Sequence, residues 1–201
     1  MVLRVLLVLV AVGLAGCDRD DLYGRYDYYA PGVSYAVDIE MPPNAPFISE
    51  QFRKGSEIGT DAHPGLDVWA KLRTPILAAA GGTVTASYYE PAFGNRVEIF
   101  HGKDARGVDY KTVYMHLKER LVEEGATVAR GQQIGTMGAT GAMGMFVHLH
   151  FEVHEGADAN QRRQVDPQLY WVRGPGKVTC FDPAIKVPEG QFRITYPVKC
   201  R

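Results

Sequence analysis

V-H-L-H-F-E-V-H, residues 147–154, puts a histidine or a glutamate at every second position. In an extended strand successive side chains point to opposite faces. Val147, Leu149, Phe151 and Val153 then share one face, which suits a core, while His148, His150, Glu152 and His154 share the other. A bland solvent face would more often carry Lys, Thr or Ser. Taken alone, His-x-His on a strand is compatible with a metal site and with a polar surface pair.

The sequence around this strand is built the same way. From about residue 46 to 172, short strand patterns alternate with turns. P-I-L-A-A-A (75–80) and G-T-V-T-A-S-Y (82–88) meet at Gly81 and Gly82, and R-V-E-I-F-H (96–101) and Y-K-T-V-Y-M-H (110–116) alternate. A-T-V (126–128) and Q-Q-I-G-T-M (132–137) are shorter, each introduced by a glycine. This spacing, with Gly 22 and Pro 12, predicts a mainly β fold of the sandwich or barrel type. It implies an antiparallel sheet with few short helices, the best helical candidate being H-L-K-E-R-L-V-E-E over 116–124. Residues 173–201 read as a C-terminal extension with its own strand-like F-R-I-T-Y-P-V.

The chain has 201 residues and a formal net charge of -1. That is room for one good-sized domain with appendages. There is no basic excess to suggest nucleic acid and no acidic tract to suggest a disordered tail. Residues 1–16 read as a leader: M-V-L-R is a short positive start, and the apolar run after it is too short for a comfortable membrane span. L-A-G-C, ending at Cys17, resembles the lipobox of bacterial lipoproteins, whose cysteine is acylated. Lipid on Cys17 would anchor the protein without spanning the bilayer. An ordinary cleaved signal or an N-terminal anchor helix is the alternative. Residues 17–45 then form a tether or arm, and the expected location is the cell envelope, on the periplasmic or extracytoplasmic side of a membrane. In an exported chain the remaining cysteines, Cys180 and Cys200, are expected to pair, free thiols being the alternative. A four-cysteine zinc site is excluded by count.

The chemistry rests on H-P-G-L-D, residues 63–67. Pro64 and Gly65 rule out a regular helix and suit a turn entering a strand. A strand-entry His63 and an in-strand Asp67 can converge above a sheet. With one imidazole of the H-L-H pair they supply two nitrogens and a carboxylate oxygen, the three-ligand set of a catalytic zinc site with a fourth position open. His148 lies two residues from His150 on the same face, and His116 ends an alternating strand. Either imidazole could move a proton or stabilise charge there. His101 reads as structural and His154 as a rim residue without a role. Glu152 is either a carboxylate that orients an imidazole or a solvated one.

From about Phe52 to Gly156 the chain resembles the M23 metallopeptidases, the lysostaphin-like or LytM-type peptidoglycan endopeptidases. The matching segments are H-P-G-L-D, T-P-I-L-A-A-A-G-G-T-V, F-G-N-R-V-E-I-F-H, T-V-Y-M-H-L, E-G-A-T-V-A-R-G-Q-Q-I-G, G-A-T-G and H-L-H-F-E, in the family's order. The resemblance implies a LytM-type domain over 46–172 with an open groove, one Zn2+ per chain on His63, Asp67 and His150, and catalytic roles for His116 and His148. It implies peptidoglycan as the substrate. Two departures stand out. T-G-A-M-G-M-F-V (140–147) is one residue longer and more apolar than the family's usual loop before H-L-H, and F-R-K (52–54) lacks the glycine that often follows its Phe. Some proteins similar to this family have lost their ligands and act as scaffolds that activate amidases or organise envelope machinery; here the set is complete. The arm or the extension could block the groove until a protein partner relieves it. G-A-T-V-A-R-G-Q-Q-I-G alone also resembles lipoyl and biotinyl carriers and efflux adaptors, but no exposed carrier lysine turn is present.

Overall fold

The computed structural model describes residues 37–54, 62–157, 160 and 162–201. Cys17, the leader and most of the arm lie outside these residues. The fold is almost wholly β. In chain order the strands are β1 (Ile48–Glu50), β2 (Leu66–Val68), β3 (Pro75–Leu77), β4 (Gly82–Glu90), β5 (Gly94–Lys103), β6 (Asp109–Leu117), β7 (Glu119–Arg120), β8 (Thr127–Val128), β9 (Gln133–Thr136), β10 (Leu149–Gly156) and β11 (Arg163–Val165). One sheet runs β1-β2-β10-β6-β5-β4-β8 and is antiparallel throughout. β11 pairs with β10 at Val153–Glu155, beyond the reach of β2, which pairs at Leu149–Phe151. β3, β9 and β7 form a second, smaller antiparallel sheet. The large sheet does not close on itself: β1 and β8 are its two ends.

The alternation of 147–154 has the expected consequence. Leu149, Phe151 and Val153 are fully buried in the core with Leu66, Val68, Val97, Ile99 and Tyr114. Each such side chain contributes roughly 1.5–3 kcal/mol by leaving water. Ile76 of β3 and Ile134 of β9 close the core from the second sheet. His150 and Glu152 emerge on the opposite face, where they stand across from Met115 and Val113 of β6.

The expected helix over 116–124 does not form. His116 and Leu117 finish β6, Glu119–Arg120 is β7, and the backbone bonds of this stretch run to β9: Lys118 N–H donates to Thr136 O and Leu121 N–H to Ile134 O. Pairing across sheets overrides a local helical pattern only about two turns long. Among the described residues the one helical element is a 3-10 turn at Pro167–Leu169, capped by Asp166.

Residues beyond 170 pack back on the domain. Trp171, Ile194, Tyr196 and Val198 belong to the same core, and Cys180 is bonded to Cys200. The arm joins them. Glu40 pairs with Lys177 in a parallel bridge, Asn44 Nδ2 donates to Arg201 O, Arg201 N–H returns to Asn44 O, and the Tyr196 hydroxyl donates to Pro46 O. Among the described residues, no helix is long and apolar enough to cross a membrane.

Candidate metal centre

Two segments far apart in sequence bring His63, Asp67 and His150 together. β2 and β10 are in register with Asp67 opposite His150. His63 sits one turn upstream, fixed by a two-way backbone pair with Arg53. Gly65 makes the approach possible: a Cβ there would stand 2.3 Å from Phe151 O. One oxygen, Asp67 Oδ1, lies 2.7 Å from His150 Nδ1 and 3.2 Å from His63 Nε2, and the two nitrogens are 3.2 Å apart. One ligand atom from each residue lies within 4.8 Å of the others.

The far sides of both rings fix which nitrogen faces the centre. His63 Nδ1–H donates to Gln51 O at 2.9 Å, leaving Nε2 inward. His150 Nε2 lies 3.2 Å from Glu152 Oε1, leaving Nδ1 inward. Glu152 is therefore no solvated carboxylate. It is buried, its second oxygen takes a hydrogen bond from His154 Nε2, and His154 is thereby anchored rather than idle at the rim. Burial would raise the Glu152 pKa, but the hydrogen bonds from His150 and His154 outweigh it and hold the carboxyl down at about 2. For His150, burial opposes the charged ring, yet hydrogen bonds to Asp67 and Glu152 prevail and raise it to about 9. Asp67 is held well below the usual carboxylate range: burial works against this, and the hydrogen bonds from His150 and His63 win. Two imidazole nitrogens, each oriented from behind, and one carboxylate oxygen fit a zinc ion well.

His148 and His116 flank the set. His148 Nε2 is 3.7 Å from Asp67 Oδ2, and the His148 and His116 rings are 4.6 Å apart. Both are turned the same way: His148 Nδ1–H donates to Phe146 O and His116 Nδ1–H to Thr140 O, each at 2.9 Å. Both Nε2 atoms remain for chemistry. His116 holds φ 62, a left-handed conformation uncommon for a residue with a side chain. The loop from Gly138 to Thr140 holds it there. Thr140 N–H donates to His116 O, and Gly138 packs so closely that a Cβ would lie 2.3 Å from Lys118 N. Burial lowers the His116 pKa, only partly offset by the bond to Thr140, so this ring is held neutral.

The remaining expectations are placed as follows. His101 bridges Gly81 O and the Thr112 hydroxyl, both at 2.8 Å, on the part of β5 away from the centre. The longer, more apolar loop before His148 folds over residues 91–92 and exposes Met143, Met145 and Phe146. One set of residues has no counterpart in the sequence reading. Trp171 Nε1–H donates to Gln168 Oε1, and Gln168 Nε2–H donates to Gln51 Oε1, on the residue whose carbonyl holds His63. Gln168 and Gln51 are 117 positions apart, a separation no local pattern reports.

Comparison with known proteins agrees with this geometry. A family model described as peptidase family M23 matches residues 61–167. Peptidoglycan DD-endopeptidase ShyC of Vibrio cholerae is 41% identical over 119 residues, 59% of this chain and 26% of that protein. The lipoprotein NlpD/LppB homolog of Pseudomonas aeruginosa is 38% identical over 110 residues, 54% of this chain and 33% of that protein. A solved zinc-containing peptidase from Vibrio cholerae superposes with a TM-score of 0.51 at 30% identity, over 64% of this chain and 37% of that one. The chain thus matches about a quarter to a third of the length of these curated relatives.

Proposed function

We infer, for a chain that belongs to peptidase family M23, that this centre is a zinc-dependent endopeptidase site acting on the peptide stems or cross-links of peptidoglycan. The observation that carries the reading is the convergence of His63, Asp67 and His150 within 4.8 Å, beside two further imidazoles. The similarity to ShyC, a peptidoglycan DD-endopeptidase, supports the substrate class.

His63 Nε2, Asp67 and His150 Nδ1 would hold the metal. A zinc ion there supplies Lewis acidity toward a carbonyl and toward water. The protein's own part is proton handling. His148 and His116 each have Nδ1–H fixed on a backbone carbonyl, which leaves Nε2 to accept a proton from the attacking water. The same atom, once protonated, returns it to the leaving amine or donates a hydrogen bond to the developing oxyanion. Burial keeps His116 in the neutral form that accepts. Glu152 and Gln51 hold the ligand rings in place from behind.

A lipid on Cys17 and a place at a membrane face of the cell envelope belong to the same reading. They would keep the enzyme near an insoluble polymer, and the relative named a lipoprotein supports them. A protein partner that moves the arm or the C-terminal extension is part of the same proposal.

The test is digestion of purified sacculi by the full chain, with released muropeptides identified by mass. His150→Ala and a chelator serve as controls. Zinc-dependent loss of cross-linked species is the expected result. No release from a folded, zinc-loaded protein would favour the scaffold reading.

A further inference from the structure

A second cleft adjoins the strand that carries Asp67. Along 66–70 burial alternates: Leu66, Val68 and Ala70 face the core, while Asp67 and Trp69 face outward together. Trp69 follows directly on β2 and lies two residues from Asp67 along the chain. Trp69 is 41% exposed, a large value for so apolar a ring, and its indole packs on Phe47 at 5.5 Å between centroids. The two rings form part of the wall of a cavity of about 590 Å³, within the usual range for small-ligand sites.

The rim of this cavity carries three cationic side chains. Lys71, Lys199 and Arg201 line it, and among the described residues no aspartate or glutamate side chain does. Its two chain segments are fixed to each other. Asn44 and Arg201 exchange hydrogen bonds, and the Cys180–Cys200 bond holds the residue between Lys199 and Arg201. The cavity is therefore preformed: an aromatic face at one side, an amide from Asn44, and three cations.

We propose that this cleft is a saccharide subsite that takes an amino-sugar unit of the glycan strand, with its ring stacked on Trp69 and carboxylates on or beside the sugar met by Lys71, Lys199 and Arg201. A pyranose has an apolar C–H face that suits an indole and polar edges that suit an amide, the mixed character for which Trp is favoured at binding sites. Carboxylates on or beside the sugar match the charge of the rim. The proposal rests on the reading of the site as a peptidoglycan endopeptidase and adds a second point of attachment, so that glycan and peptide are held by one surface.

The chain reports on this by itself. It has two tryptophans, and Trp171 is fully buried, so a ligand-dependent change in fluorescence quenching belongs to Trp69. The full chain is titrated with three probes: peptide-free glycan strands bearing muramic acid carboxylates, neutral chitohexaose, and a sugar-free stem peptide. The glycan strands are expected to shield Trp69 from acrylamide, and chitohexaose to bind about tenfold more weakly for want of charge. The stem peptide is expected to leave Trp69 unshielded. The double variant Lys71→Gln, Lys199→Gln is expected to bring the two saccharides within about twofold of each other. Trp69→Ala, with Trp69→Phe as the conservative control, should raise the half-saturating amount of sacculi about fivefold or more while leaving cleavage of a glycan-free cross-linked peptide unchanged. Absence of shielding by glycan strands overturns the proposal, as does equal shielding by the stem peptide. Failure to cleave the glycan-free peptide would instead count against the endopeptidase reading, independently of the shielding result.

Discussion

Glu152 carries two imidazoles on one carboxylate, and only one of them faces the metal set. Its charge favours the tautomer that turns His150 Nδ1 inward, and it makes that ring a stronger donor. Glu152→Gln keeps the shape and removes the charge. Zinc affinity is expected to fall by about tenfold or more, read by competition with a chromogenic chelator, with activity recovering at saturating zinc. His101 shows the other use of a histidine. Its ring packs on Phe192 at 5.2 Å, donates to Gly81 O and lies against the Thr112 hydroxyl. Burial lowers its pKa to about 4, the bond to Gly81 opposing this only in part. The unfolded chain, with an ordinary imidazole near 6.5, binds the extra proton first as pH falls. Stability from this residue is therefore complete above pH ~6.5 and is lost toward pH ~4. After allowance for partial exposure the loss is on the order of 1–2 kcal/mol. Urea unfolding at pH 7.5 and 4.5 should show it in the native chain and not in His101→Gln.

At the level of the element, the sequence pattern was most informative where one face is apolar and the other is not. The period of 2 in residues 147–154 places Leu149, Phe151 and Val153 in the core and His150 and Glu152 on the opposite face, as the structure has them. H-P-G-L-D read correctly as a turn into a strand, because Pro64 and Gly65 exclude the helix that would otherwise join His63 to Asp67. The pattern misled at 116–124, where Leu117, Leu121 and Val122 mimic a helical stripe. The backbone there is committed to β9, and His116 is already left-handed. That commitment depends on Gly138. Gly138→Ala is expected to push the loop off Lys118 and His116, costing roughly 1–3 kcal/mol as overpacking does. Thermal unfolding would register the loss, and a broadened His116 imidazole resonance would show that the ring is no longer held on Thr140.

Across the whole molecule, the supports of the site come from places that no motif marks. Gln51, Gln168 and Trp171 form a hydrogen-bonded line behind His63, and their meeting follows from how residues 167–201 pack on the core. Nothing in the local sequence of Gln168 signals this, since its partner is contributed by the arm side of the domain. The Cys180–Cys200 bond secures that packing across a sequence separation of 20. Reduction is expected to cost about 3 kcal/mol by the loop-entropy model. For a chain of this size that lowers the melting temperature by roughly 6–12 °C, measurable by calorimetry with and without reductant. The stitching of the arm to the C-terminal segment has a mechanical side as well. Tension applied to the N-terminal arm would first meet the Glu40–Lys177 bridge, then the Asn44–Arg201 pair, then the Tyr196–Pro46 bond, and only afterwards β1 and Gln51. These contacts act as strain relief on a cable: a pull on residues 37–46 is taken up while the imidazole of His63 stays where it is.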